Sequence, residues 1–135
     1  MNAALTIKLF EDFPQLFRNR HDTSMQRGFE CGDGWFDLIY KLAQDIENVA
    51  SENGLSTDSP DRPLCRQVKE KMGSLRFIVL ATEGFPEMNE RISELKLTAL
   101  NQSLHICEQC GQPGELLTSG RISTMCAEHA KHTET

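Results

Sequence analysis

Near the end of the chain, two pairs of metal-ligand residues constrain the fold more than any other sequence feature. Cys107 and Cys110 form a C-x-x-C pair followed directly by Gly111, and Cys126 and His129 form a C-x-x-H pair. Zinc prefers four tetrahedral ligands, and a gap of two residues allows a chain reversal to aim both side chains of a pair at one ion. The spacing therefore predicts a four-ligand zinc site made of Cys107, Cys110, Cys126 and His129.

The residues around these pairs predict a local structure for the site. Ser119-Gly120 lies midway between the pairs, as the turn of a β-hairpin does, and the segment from Cys126 can start a helix. A helix start would put Cys126 and His129 one turn apart on one face. The fourth ligand stays open at this point, because His105 precedes the first pair and His132 follows the second by one turn.

The order of a cysteine pair, a hairpin and a C-x-x-H pair at a helix start resembles the treble-clef family of zinc fingers, over residues 107–129. Catalytic zinc normally keeps one coordination position open for water, whereas four protein ligands fill the shell. Treble-clef nucleases carry histidines on the hairpin, but "LLTSGRISTM" contains no His, Asp or Asn. We therefore predict that the zinc is structural.

The strongest helix signal lies in "GDGWFDLIYKLAQDIENVASENG". Its apolar residues recur at spacings of three and four, which predicts an amphipathic helix of about five turns. Asp33 is the expected N-cap, Gly54 the expected residue after the C-cap, and Trp35 the expected core anchor. The apolar face consists of Trp35, Leu38, Ile39, Leu42, Ile46, Val49 and Ala50.

The segment "CRQVKEKMGSLRFIVLAT" predicts a β-hairpin that turns at Gly73-Ser74. Leu75, Phe77 and Val79 alternate with other residues and would share one face. That face needs a helix to pack on, because two strands alone are only marginally stable.

Two further helical segments complete the predicted fold. A helix should begin near Pro86, and residues 4–17 predict short helical turns with a break at Pro14. We predict an α+β fold in which helices pack on a β-hairpin. Residues 1–104 would form the helical and hairpin core, and residues 105–135 a zinc-binding lobe of the same globular unit.

Charge and cysteine content narrow the possible partners and compartment. The 135-residue chain has net charge −6, and residues 1–64 alone carry −5. Nucleic-acid binders usually present a basic face, so the charge favours a basic protein partner. No apolar run approaches the length of a membrane helix, and the start of the chain lacks the features of an export signal. An odd number of cysteines suits a reducing compartment better than a set of disulfides. We therefore expect a cytoplasmic protein that does not enter a membrane.

Three features outside the metal site have a functional and a structural interpretation. Cys31 could be a thiol nucleophile beside a helix start, but its segment is acidic and lacks the electropositive setting of reactive cysteines. Cys65 is expected to be a small core residue. A patch from Arg66 to Arg76 could contact nucleic acid, but a solvated hairpin face is the simpler interpretation.

The stretches "GFECGDGWFDLI", "VKEKMGSLRFIV", "CEQCGQPG" and "CAEH" together resemble a family of small, uncharacterised accessory proteins of bacteria and their phages. The resemblance spans about residues 25–130 and brings no activity with it. It implies a cytosolic, zinc-containing accessory role that includes immunity or counter-defence.

These observations lead to one preferred function and two alternatives. We expect a non-enzymatic, zinc-stabilised acidic protein that binds another protein and inhibits a basic nuclease or toxin. The first alternative is a nucleic-acid-associated zinc-finger protein, and the second is a small enzyme that uses Cys31.

Overall fold

The computed structural model describes residues 1–131 and confirms the α+β class. Within this range the chain forms four α-helices and two antiparallel two-stranded sheets. The helices are α1 Ala3–Asp12, α2 Phe36–Glu52, α3 Pro86–Ser103 and α4 Ala127–Ala130. The strands are β1 Leu64–Lys71 and β2 Ser74–Leu80 in one sheet, and β3 Glu115–Leu117 and β4 Ser123–Met125 in the other. None of the helices in this part of the chain is both long and apolar enough to cross a membrane.

Helix α2 is the centre of the core and follows the predicted apolar pattern. One face is buried along its whole length, and Trp35, immediately before the helix, is completely buried. Gly54 follows the C-cap with a φ of +79°, as predicted. The buried face consists of Ile39, Leu42, Ala43, Ile46, Val49 and Ala50.

The prediction that Asp33 caps α2 is wrong. Asp33 begins a short 3-10 turn, Asp33–Trp35, and α2 itself starts without a side-chain cap. The Asp33 carboxylate instead accepts hydrogen bonds from the backbone N–H of Asn2, at 2.7 Å, and from its side-chain amide, at 3.1 Å. This acid therefore ties the start of α1 to the loop before α2.

Strands β1 and β2 form the predicted hairpin, with a turn one residue earlier than expected. Lys71 pairs with Ser74, so the two turn residues are Met72 and Gly73, with φ values of +54° and +81°. Positive φ at both positions is the geometry that suits a two-residue hairpin turn. The core face carries Leu75 and Phe77, as the alternation predicted.

Helix α3 and the aromatic residues close the core around this hairpin. Pro86 is the first residue of α3, and Met88, Ile92 and Ala99 of its inner face are buried. The ring of Phe17 contacts those of Phe29 and Phe77 at centroid distances of 5.3 and 6.3 Å. The core thus lies between α2, α3, the inner face of the hairpin, α1 with its buried Leu9, and the segment that follows α1.

Candidate metal centre

The first ligand pair lies on a tight reversal of the chain. The backbone N–H of Gly111 donates to the carbonyl oxygen of Cys107 at 2.9 Å, and the N–H of Cys107 donates to the carbonyl oxygen of Gln112 at 2.8 Å. Gly111 has a φ of +81°, a left-handed conformation that favours glycine. The reversal brings the side chains of Cys107 and Cys110 to the same side of the chain.

The second pair lies at the start of α4, as the spacing predicted. Cys126 is the N-cap of this helix, and its sulfur accepts a hydrogen bond from the N–H of His129 at 3.4 Å. The antiparallel strands β3 and β4 join the two pairs. We call the reversal at residues 107–111 the knuckle. Knuckle, hairpin and helix follow one another in the order that the resemblance to treble-clef fingers implied.

The structure brings Cys107, Cys110, Cys126 and His129 together, with all four ligand atoms within 4.8 Å of one another. The Sγ atoms of Cys110 and Cys126 are 3.8 Å apart, and Nδ1 of His129 lies 3.6 Å from Sγ of Cys107. Tetrahedral zinc, with bonds of about 2.3 Å to sulfur and 2.0–2.1 Å to nitrogen, requires ligand separations close to these. The donor set therefore fits one metal ion and is consistent with zinc.

Of the two other candidates for the fourth ligand, His105 does not belong to this cluster. His105 is exposed and is not among the residues that could share an ion, while its carbonyl oxygen accepts a hydrogen bond from Gly114. His132 lies outside the described residues. Within residues 1–131, His129 is the histidine whose ring reaches the three sulfurs.

The backbone around the cluster favours ionised sulfur. Burial opposes ionisation of Cys107, but hydrogen bonds from the backbone at Cys126, Cys110 and Gln109 outweigh it and lower the pKa of this thiol to about 6. The backbone at His129 lowers the pKa of the Cys126 thiol as well. Thiolates are the form in which cysteine binds metals, so the backbone prepares Cys107 and Cys126 for a cation. At Cys110 the backbone at Gln112 acts in the same direction, but burial and the two neighbouring sulfurs outweigh it and raise the pKa of this thiol.

The two glycines of the G-D-G sequence, Gly32 and Gly34, hydrogen-bond to the knuckle and pack closely against it from the side of the core. The N–H of Gly32 donates to the Glu108 carboxylate and the N–H of Gly34 to the Glu108 carbonyl oxygen, both at 2.8 Å. A Cβ at Gly32 would lie 2.3 Å from that carbonyl oxygen, and one at Gly34 would lie 2.2 Å from the carbonyl oxygen of Cys107. Any side chain at either position would push the knuckle away.

The sequence predicts Gly32 and Gly34 only as turn residues and does not reveal this contact with the knuckle. The available signal was a pair of glycines separated by one residue directly before a buried tryptophan. Trp35 completes the contact, because its indole N–H donates to the carbonyl oxygen of Ile106 at 2.9 Å. We call residues 32–34 the GDG loop and residues 105–131 the metal lobe.

The hairpin of the core supports the metal lobe from a second side. The hydroxyl of Thr124, a fully buried residue on β4, donates to the carbonyl oxygen of Gly73 at 2.7 Å. The N–H of Glu108 donates to the carbonyl oxygen of Thr124 at 3.0 Å, so β4 links the hairpin turn to the knuckle. The metal lobe is therefore held between the GDG loop and the turn of β1–β2.

The remaining two cysteines lie away from the cluster and are buried. Burial, followed by the nearby charge of Glu108, raises the pKa of the Cys31 thiol to about 12. Cys65 is completely buried, and burial raises the pKa of its thiol further still. Burial therefore favours the protonated form of both thiols, whereas reactive cysteines act as thiolates in partly exposed settings.

Comparisons with protein-family models, with curated proteins and with solved structures find no match to this chain.

Proposed function

We propose that the protein is a non-enzymatic, zinc-stabilised accessory protein that binds a basic protein partner. The observation that carries the proposal is the arrangement of four protein ligands around one metal position. A shell filled by Cys107, Cys110, Cys126 and His129 leaves no coordination position for water or substrate, as a structural zinc site requires. Burial also raises the pKa of the Cys31 thiol, so neither the metal position nor this cysteine offers a catalytic group. We therefore assign the function to the surface of the protein.

The zinc assignment can be tested directly on the purified protein. Metal analysis should find zinc at a one-to-one ratio to the chain, and cobalt substitution should produce the absorption of a tetrahedral thiolate site. In Cys126→Ser the ratio should fall, whereas Glu128→Gln, an exposed substitution in the same helix, should keep it. Full zinc occupancy in Cys126→Ser would mean that the ligand set is different.

The distribution of carboxylates supports a basic partner, although not every acid is available to it. Within the acidic first half, Asp12 pairs with Lys8, Asp45 with Lys41, and Asp33 bonds to Asn2. These three carboxylates are therefore already engaged in contacts within the molecule. The partner must therefore meet carboxylates that remain exposed.

One such group follows a single face of α3. Glu87, Glu90 and Glu94 are spaced by three and four residues, so they share one side of the helix, and all three are exposed. Arg91 lies among them in the sequence, and its guanidinium is 3.5 Å from Glu94, an exposed pair of little energetic weight. We call these three residues the acidic stripe and propose that it contributes to attracting a basic partner.

The most specific form of the proposal is an inhibitor of a basic nuclease or toxin, in bacterial or phage immunity or counter-defence. A protein that presents carboxylates to such an enzyme imitates the charge of nucleic acid, and opposite fields accelerate their association. This form rests on the net charge of −6 and on the absence of an assembled catalytic set among residues 1–131.

The test uses the full chain as bait and compares two charge variants with equal net charge. In one, Glu87, Glu90 and Glu94 become Gln. In the other, Glu11→Gln, Asp22→Asn and Glu128→Gln change exposed acids elsewhere. The captured partner should be basic and lost at high salt. Neutralising the stripe should slow its association about tenfold at low salt, and the control should slow it less. Equal effects, or salt-insensitive capture, would count against the proposal.

A second candidate function is association with nucleic acid through the hairpin, and one observation favours it. Lys69 and Arg76 lie directly opposite each other in the β1–β2 register, and Arg66 and Lys71 are exposed on the same hairpin. A gel-shift titration separates the two candidates, because binding through phosphate contacts weakens steeply with added salt. Arg66→Gln/Lys71→Gln should weaken such binding, whereas the acidic-stripe variant should not.

A further inference from the structure

Strand β2 has a free edge. On β1, the carbonyl oxygen of Val68 and the N–H of Glu70 bond to Glu30, on the side away from β2. In an antiparallel pair, residues opposite each other point their backbone groups the same way relative to the pair, either both inward or both outward. Phe77, opposite Val68, and Leu75, opposite Glu70, therefore direct their N–H and C=O groups outward from β2.

A hydrogen bond from the structure supports this assignment. The N–H of Leu75 leaves the sheet and donates to the hydroxyl of Ser103 in α3 at 2.9 Å. At the next outward positions, Phe77 and Val79, no bond of this kind to another described element of the chain occurs. The edge of β1 is thus covered by Glu30, whereas the edge of β2 offers unpaired backbone groups beyond Leu75.

A groove runs along this edge, between β2 and α3. It has a volume of about 320 Å³ and is lined by four consecutive residues of the strand and by one face of the helix. The strand side comprises Leu75, Arg76, Phe77 and Ile78, and the helix side Ser93, Lys96, Leu97 and Leu100. Leu97 is 59% exposed and Ile78 39%, so apolar surface stays in contact with water at the groove.

Proteins normally protect a free edge strand with proline, bulges or inward-pointing charge, because an open edge invites another strand. Strand β2 contains no proline, and its inner-face residues Leu75, Phe77 and Val79 are all apolar. The register shift of this sheet lies on β1, between Cys65 and Gln67. Beyond Leu75, where α3 covers it, the edge of β2 is therefore in the form that accepts an added strand.

We propose that this groove binds an extended segment of a partner protein, which adds to β2 as a third strand and carries apolar and acidic residues. Backbone pairing at Phe77 and Val79 would hold the segment, as in other cases of strand addition. Its alternate side chains would lie over Leu97 and Leu100 of α3. No residue of the acidic stripe lines the groove, so the inference goes beyond the proposed function and does not depend on it.

The charge of the groove argues for acidic residues in the bound segment. Arg76 and Lys96 line the groove, and no acidic residue does, although the chain as a whole carries a net charge of −6. Among residues 1–131, neither cation forms a salt bridge. Carboxylates on the incoming strand would supply the missing partners.

The same charges argue against a second copy of this chain as the occupant. Antiparallel pairing of two β2 edges about Phe77 would bring the two Arg76 side chains to the same short interface. Each Arg76 would be the diagonal neighbour of the other, a separation that long side chains bridge, so the two positive charges would repel each other. The second copy would also bring its own α3, which packs on its β2, into the space beside the edge where the first α3 already lies. A single extended segment avoids both problems.

The probe is a displayed library of seven-residue peptides in which Val, Ile, Leu or Phe alternate with fully varied positions, selected against the full chain. Asp and Glu should be enriched at the varied positions. An enriched peptide, made synthetically, should slow hydrogen exchange at the amides of Phe77 and Val79 more than elsewhere. A version N-methylated at alternate residues should bind at least about tenfold more weakly, because half of its N–H donors are removed.

Protein variants test the charges of the groove. Arg76→Glu/Lys96→Glu should weaken binding of the acidic peptide about tenfold or more, whereas Arg91→Glu, on α3 outside the groove lining, should change it less than about twofold. Circular dichroism checks that each variant is folded, and the N-methylated peptide tests the pairing without altering the protein. Failure of any peptide to be enriched, enrichment of Lys and Arg, protection at other amides, or concentration-dependent dimers protected at Phe77 and Val79 would overturn the proposal.

Discussion

The core and the metal lobe of this protein are stabilised in different ways. The core buries large side chains, including Trp35, Phe17 and Ile46, between elements of up to 18 residues. The metal lobe has strands of three residues and a helix of four, and Met125 is the buried hydrophobic residue that its sheet contributes. Elements this short do not form stably by themselves. The lobe therefore depends on its metal ligands and on the surfaces of the core that hold it.

The two regions are nevertheless joined by specific contacts. The GDG loop lies at the start of α2, the main helix of the core, and it bonds to the backbone and side chain of Glu108 in the knuckle. The contact is made between backbone groups that approach each other closely. A change in the conformation of the knuckle should therefore displace the start of α2. How far the two regions are independent can be tested by perturbing the metal, the core and the contacts between them in turn.

Removal of the metal should have the largest effect. Structural zinc contributes on the order of 10 kcal/mol to small fingers, so a chelator should abolish the folding of the metal lobe. Hydrogen exchange should show loss of protection in residues 105–131 and also at the amides of Gly32 and Gly34, whose acceptors lie in the knuckle. The second half of α2 should stay protected. Unchanged protection throughout the chain would show that the lobe does not need a metal.

A cavity in the core should destabilise the protein without affecting the metal site. Ile46 is completely buried, and Ile46→Ala should cost about 2–5 kcal/mol of unfolding free energy. Zinc affinity, measured by chelator competition at a temperature where the variant is folded, should stay within about threefold of the wild type. A large loss of zinc affinity would mean that the core and the lobe unfold as one unit.

A side chain in the GDG loop should affect both regions together. Gly34→Ala would place a Cβ within 2.2 Å of the Cys107 carbonyl oxygen, and overpacking of this kind costs about 1–3 kcal/mol. The variant should be less stable and should also bind zinc more weakly. Gly84→Ala is the matched control, because Gly84 has a φ of +87° but open space around it. The control should lose stability, through backbone strain of about 1 kcal/mol, and keep its zinc affinity.

Loss of the bond between β4 and the hairpin turn should have the smallest effect. Thr124→Val removes the donor to the buried carbonyl oxygen of Gly73 and should cost about 1–2 kcal/mol. Thr98→Val, an exposed change on α3, should alter the unfolding free energy by no more than about 0.5 kcal/mol. Thermal unfolding of the two variants compares them directly. Equal values would mean that the hairpin contributes nothing to holding the lobe.

The fold class and the ligand set were accessible from the sequence because both depend on short-range patterns. Apolar spacing of three and four identified α2, alternation identified the inner face of β2, and two-residue gaps identified the four residues that meet at the metal position. Local patterns did not fix the hairpin turn, which the sequence predicts at Gly73-Ser74 and the structure places at Met72-Gly73. A positive φ at a non-glycine residue such as Met72 is uncommon, so residue type alone does not indicate it.

The sequence by itself determined the secondary structure periods and the spacing of the metal ligands, since both are fixed by distances of a few residues along the chain. Only the tertiary structure decided the partners of Asp33, Gly32 and Gly34, because Asn2 lies 31 residues from Asp33 and Glu108 lies 76 residues from Gly32. It also decided which edge of the hairpin stays open. Contacts at such separations depend on how whole elements pack, and no local pattern of residue types records them.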